Sequence, residues 1–286
     1  MSYPAEVTAV LKSELLCIAD SNWVLGHWYV NCMLNGRELT DFTSMAGVAE
    51  EKLGHARALF RFMEEHYGLA EHQLEFARSA AGIHSMALLD APPGNWADFI
   101  VTLHLADRAL WHFSTTLRKG NFAPAANLIT RFGEEAYFHQ LCIDGWLKAL
   151  DDGERRDLAV ALPARLPPVL QWFDGPDTDL LLDAGIRTEP LAQAREHLRA
   201  DIGKLIESVP DLSDEVLERP VGQANSASWD TFRRRPRGSA LPPRLWESMV
   251  PTSEEARLAR RPLAVSVDDN IDLFGKVKKD ETEPQF

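Results

Sequence analysis

The chain has 286 residues, 45% of them hydrophobic, and a formal net charge of −13. That is enough apolar sequence for a full core in one or two domains, and the negative balance speaks against a nucleic-acid footprint or a polybasic membrane surface. No apolar run approaches the roughly 18 residues of a membrane helix, and Met1 to Glu6 lacks a basic-then-apolar leader pattern, so a cytoplasmic protein is expected.

In chain order, the apolar periodicity predicts helices nearly throughout. Leu11, Leu15, Ile18, Trp23, Leu25 and Val30 recur at helical spacing from about Ala5 to Asn35, where Asn35-Gly36 supplies a stop. Asp41 reads as the N-cap of a second helix that closes at Gly68. A third is expected from Glu71 to Leu89, before Ala91-Pro-Pro-Gly94. A fourth runs from Trp96 to Lys119, and a fifth from about Asn121 to Leu150. No window shows sustained alternation of period two, so sheet is not expected.

Beyond Gly153 the pattern weakens. Glu154 to Phe173 is apolar enough for a helix, but Pro163, Pro167 and Pro168 are expected to break it. After a loop at Asp174 to Asp179, Leu191 to Val209 reads as one more helix. These elements form an all-α domain over residues 1–209. Residues 210–286 read as an extended, largely irregular C-terminal arm with many prolines, the cluster Arg233-Arg-Arg-Pro-Arg237 and isolated large apolar groups such as Trp229, Leu241, Leu245 and Trp246. Such an arm is expected to dock on a partner and to be removable without harm to the bundle. Cys17, Cys32 and Cys142 have no metal-type spacing and read as reduced core thiols.

The chemistry concentrates on two helices. Glu51 and His55 are four residues apart on the second, and Glu135 and His139 repeat that spacing on the fifth, so each pair projects from one helix face. Asp107 is an acid within the apolar sequence of the fourth. Two helices that each offer a carboxylate and an imidazole, with a third carboxylate between, resemble the ligand pattern of a metal site in a helical bundle. Imidazole and carboxylate suit iron or manganese, and a dinuclear centre takes about six protein ligands, four of them carboxylates. Against that, the carboxylate-bridged pattern is Glu-x-x-His, and three residues before the histidines stand Lys52 and Ala136. Helix one offers Trp23 where another acid is wanted. A lysine among acids can take the place of metal electrostatically, so Lys52 sets an ion-pair network against a metal site. Asp20 and His27 flank Trp23, and His104 and His112 straddle Asp107. Asp20 and His27 read as ordinary packing with a cavity lining as the alternative, and His104 and His112 as bundle or interface polar groups. Trp96, Trp111, Phe113, Tyr137, Phe138 and Trp146 read as core.

Taken together, Ala19-Asp-Ser-Asn-Trp-Val-Leu-Gly-His27, Lys52-Leu-Gly-His-Ala-Arg57, Pro93-Gly-Asn-Trp-Ala-Asp98, Asp107 with Ala109, and Glu134-Glu-Ala-Tyr-Phe-His139 carry a resemblance. The sequence resembles the ferritin-like A and C subunits of the phenylacetyl-CoA epoxidase, a bacterial multicomponent monooxygenase, well over Leu15 to Leu150 and loosely to residue 207. The resemblance implies a ferritin-like helical bundle. It also implies one of two roles: a catalytic A-type subunit, whose di-iron site activates dioxygen to epoxidise the aromatic ring of a CoA thioester, or a C-type structural partner. Leu25-Gly-His27 without a ligand glutamate, and the spacing of Glu135 to His139, look like the C-type. His55 looks like an A-type ligand, but Lys52 stands where its glutamate companion would be.

The resemblance implies a ferritin-like sister subunit as partner, a reductase, and an aromatic or related acyl-CoA-like substrate, with no nucleic acid and no membrane. In the catalytic reading Glu51, His55, Asp107, Glu135 and His139 hold iron; in the structural reading they surround Lys52 and the chain holds none. A stand-alone helical protein that uses the cluster for metal binding or stability is the remaining reading.

Overall fold

The computed structural model describes residues 3–176, 178–209, 212, 217 and 228–250. It is a bundle of long helices: α1 (Ala5–Cys32), α2 (Leu39–Tyr67), α3 (Trp96–Arg118) and α4 (Ala123–Lys148), with α5 (Asp152–Gln171), the short α6 (Leu180–Asp183) and α7 (Leu191–Ser208) following. α1 packs along α2, and α3 along α4, α5 and α7; α1 with α3 and α2 with α4 touch more lightly. α2 and α3 therefore face each other diagonally across the four-helix core. The architecture is the ferritin-like helical bundle, and among the described residues no helix is long and apolar enough to cross a membrane.

α1 is covered on nearly every side from Leu11 to Tyr29, which only a helix wrapped by its neighbours can be. Its contact with α2 is close enough that a Cβ on Gly26 would lie 2.8 Å from Leu53 Cγ. α2 begins before Asp41, which sits in its first turn instead of capping it. There the Asp41 carboxylate accepts hydrogen bonds from Arg37 N–H at 2.9 Å and Trp146 Nε1–H at 2.8 Å, tying the start of α2 to the end of α4. Gly68 closes α2 with φ 67°, the left-handed cap that glycine adopts without strain.

Two expectations about helices are corrected. Glu71 to Leu89 is not a helix but a π-turn at Gln73–Ala77 and two 3₁₀ turns at Ala80–Gly82 and Ala87–Asp90. The cause is Asp20 of α1, whose buried carboxylate takes both guanidinium arms of Arg78 at 2.5 and 2.7 Å and the His84 N–H at 2.6 Å. That lacing draws the segment flat across α1. Conversely, α5 continues through Pro163, Pro167 and Pro168. It opens on a capping box between Asp151 and Glu154. Leu158, Leu162, Leu166, Val169 and Leu170 are buried, and Arg165 grips Asp98 of α3 through two bonds of 2.7 Å. Packing and that ion pair outweigh the lost backbone bonds. The other helices lie within a few residues of the positions the periodicity predicts, and the aromatic set divides: Phe113 and Trp146 are core, but Tyr137 and Phe138 are exposed.

The described part of the arm lies on this chain's own bundle. Trp229–Asp230 (β1) and Arg235–Pro236 (β2) form a two-residue antiparallel pair, and α8 (Pro243–Met249) follows. Arg234 Nη2 donates to Glu14 of α1 at 2.7 Å, Arg235 Nη2 to Asp90 at 2.5 Å, and Arg233 to the Ile83 carbonyl at 3.0 Å. Trp229, Leu241, Leu245 and Met249 are buried. A truncation that removes this strap would take one of the two partners of Glu14 and the arginine that holds Asp90, and is expected to destabilise the bundle. The rest of residues 210–286 lies outside the described residues.

Candidate functional site

α2 and α4 run antiparallel, so their two Glu-x-x-x-His units meet in reverse order. His55 Nε2 contacts Glu135 Oε2, and His139 Nε2 contacts Glu51 Oε2. Each imidazole therefore closes on a carboxylate of the opposite helix. The rings lie side by side, their centroids 6.2 Å apart, and His55 also stacks on Phe132 at 4.1 Å. Between these pairs and the bundle axis, Lys52 Nζ binds Asp107 Oδ1 of α3. Glu51, Lys52, His55, Asp107, Glu135 and His139 thus share one cluster built from three helices. Lys52, His55, Asp107 and His139 are buried, whereas Glu51 and Glu135 lie at its partly exposed rim.

The electrostatics follow from that layering. Burial, with the Lys52 ammonium next and for His55 also the His139 ring, lowers both imidazoles to about 2. They are neutral at any physiological pH. Each Nε2 shares a hydrogen bond with its glutamate, whose direction the ring tautomer sets. Burial and the neighbouring Glu135 push the Glu51 carboxyl up, partly offset by Lys52. Burial foremost, then the nearby Asp107 charge, raises the Tyr29 hydroxyl well above its usual value.

The cluster floors a cavity of about 400 Å³ whose walls are Leu110, Trp111, Ile129 and Phe132, with Arg108, Tyr137, Gln140 and Asp144 among its polar lining. The α1 residue that reaches it is Asn22, not Trp23. Asn22 donates to its own helix at the Ile18 carbonyl, 2.9 Å away. Trp23 lies on another side, with His27, against a second cavity that α8 borders. Asp20 is spent on Arg78. His112 bonds Asp201 of α7 at 2.8 Å and His104 faces Gln140 at 3.5 Å, so both serve the bundle.

Sequence reading missed Asn22, Arg108, Gln140 and Asp144 as cavity residues. Gln140 and Asp144, four apart on α4 and bonded to each other, share a helix face with Ala136 that adjoins the one carrying His139. That spacing was the available signal.

The donor set does not fit a carboxylate-bridged di-iron centre. Both imidazoles and both rim carboxylates are engaged with one another, the central acid holds an ammonium, and helix one contributes an amide. Among the described residues no group of three or more His, Cys, Asp or Glu side chains is arranged around a common point. A dication brought to this centre would meet the buried positive charge of Lys52.

Fold and site together define a ferritin-like bundle whose polar centre is one Lys–Asp ion pair and two His–Glu hydrogen bonds. The sequence matches the family described as Phenylacetic acid catabolic protein over residues 2–215, and the chain belongs to that family. That family is of the ferritin-like di-iron type. A curated relative is the C subunit of the 1,2-phenylacetyl-CoA epoxidase of Escherichia coli (strain K12), 26% identical over 187 residues that cover 63% of this chain and 75% of the relative.

Proposed function

We propose that the chain is a structural subunit of a multicomponent monooxygenase of the phenylacetyl-CoA epoxidase type, bracing a ferritin-like sister that bears the di-iron centre. The sister would receive electrons from a reductase and oxidise an aromatic or related acyl-CoA, and the assembly would work in the cytoplasm. One observation carries the structural role: the two reciprocal His–Glu pairs between α2 and α4 engage the candidate ligands with one another, and no open coordination set is left among the described residues. Kinship with a protein named as the C subunit of such an epoxidase supports the same reading. On this reading Glu51, His55, Asp107, Glu135 and His139 hold helices together, and no oxygen chemistry passes through them.

The test is to purify the chain with the products of its neighbouring genes, measure iron in each separated subunit, and assay acyl-CoA oxidation with the reductase present. The expected result is a stoichiometric complex in which iron stays with the sister and activity needs both subunits. A chain that alone retains about two irons and turns over substrate would overturn the structural role in favour of a di-iron subunit. A chain that forms no complex would leave only a stand-alone protein.

A further inference from the structure

The mismatch between this centre and a metal has a specific source, Lys52. α2 and α3 stand diagonally in the core, and the side chains that join them through its centre are Lys52 and Asp107. The ammonium is 5% exposed and the carboxylate 8%. A buried carboxylate needs a cation, and in this fold class the usual cation is a metal shared among helices. We propose that Lys52 is a covalently supplied counter-ion in the place of metal, tying α2 to α3 through Asp107, so that the bundle folds without metal and resists taking one up. This rests on the structural-subunit reading and adds to it a residue and a cause.

The chemistry favours lysine for the part. An ammonium is a compact point charge with three donors on a flexible stem, suited to an axial position with one acid in reach, whereas a guanidinium fork needs planar partners on two sides. Its position in the sequence is equally telling. Lys52 is three residues before His55, where the carboxylate-bridged pattern has a glutamate. One side chain therefore removes a metal ligand and adds a repelling charge.

Four full-length proteins test this: wild type, Lys52→Met, Lys52→Met with Asp107→Asn, and Lys52→Glu. Each is melted with chelator and titrated with Co²⁺, whose absorption bands report ligation. Wild type is expected to melt at the same temperature with or without chelator and to show no cobalt bands. Lys52→Met leaves Asp107 buried and without its cation, so its melting should fall by about 6–20 °C. Replacing Asp107 by the isosteric neutral amide should recover most of that fall. Lys52→Glu completes Glu-x-x-His and should take up Co²⁺ with visible bands and a higher melting temperature in its presence.

If Lys52→Met does not fold, the double variant still decides: melting like wild type supports the counter-ion role, and no recovery overturns it. Stoichiometric cobalt in the wild type, or a Lys52→Met protein as stable as wild type, also overturns it. Assembly with the sister subunit, measured on the same samples, separates this outcome from the functional reading. A wild type that fails to assemble defeats that reading whatever the melting data say.

Discussion

Replacing Arg234 by alanine tests how far the C-terminal strap belongs to the bundle. Glu14 lies inside α1, 3% exposed, with Arg187 on Oε2 and Arg234 on Oε1. Burial alone would raise its carboxyl, but the two guanidiniums outweigh that and hold it below the ordinary range. Arg234 also donates to the Trp172 and Asp174 carbonyls at 3.2 and 3.0 Å. Losing one partner of a buried pair costs about 3–5 kcal/mol. Because Arg187 remains and Glu14 and Arg234 border a groove that water can enter, the lower end applies, about 3 kcal/mol or 6–12 °C in melting. The assay is urea unfolding of the full chain beside Arg237→Ala, an exposed position expected to change stability by less than about 0.5 kcal/mol.

The sign of the pH effect is fixed too: a depressed acid contributes stability that is present at neutral pH and lost as pH falls through its folded-state value. The deficit of Arg234→Ala should therefore shrink below the usual carboxylate range. An Arg234→Ala protein within about 1 kcal/mol of wild type, or a deficit independent of pH, would refute the reasoning.

Two further substitutions probe the packing that positions the site. Gly26→Ala places a methyl 2.8 Å from Leu53 Cγ and should cost about 1–3 kcal/mol by overpacking; Leu53→Ala in the same chain should relieve part of it, and thermal melts that show no such coupling would mean that α1 and α2 can slide apart. Asp98→Ala strips Arg165 of its two-bond partner and should cost about 3 kcal/mol, whereas adding Arg165→Leu should return some of that stability; a double variant worse than the single one would argue that Arg165 acts through the Ala91 and Pro92 carbonyls instead.

What could be read from the sequence was whatever repeats locally. The long helices follow from apolar spacing, and the two Glu-x-x-x-His units were visible because four residues is nearly one helical turn. Their cross-pairing was not visible, because it depends on α2 and α4 lying antiparallel at one register. The errors share a cause. Glu71 to Leu89 has helical spacing, yet Asp20, a residue more than fifty positions away, takes its Arg78 and His84 N–H. The prolines of α5 break the local rule but not the packing on α3. The basic cluster Arg233 to Arg237 read as a motif for acids either of a partner or of this chain's own body, and nothing local marks Glu14 and Asp90 as its targets. Long-range ion pairs leave no period in a sequence.

Those same ion pairs give the bundle its consistency. Glu14 is held by Arg187 and Arg234, Asp20 by Arg78, Asp98 by Arg165, and Asp107 by Lys52. Each cation comes from a different element than its acid, so these pairs fix which segment lies against which helix. In the first three cases the cation is an arginine that also serves backbone carbonyls or reaches both carboxylate oxygens, as its planar fork allows. Of these four acids only Asp107, at the diagonal contact, is held by a lysine, and that ammonium is also the charged neighbour of the two neutral imidazoles. An arginine at position 52 would have to place a wider, flat group among Asp107, His55 and His139. A compact ammonium on a flexible stem suits that crowded contact better than a planar guanidinium would. The proposed counter-ion role of Lys52 thus rests on the one pair whose cation departs from the arginine pattern of the frame around it.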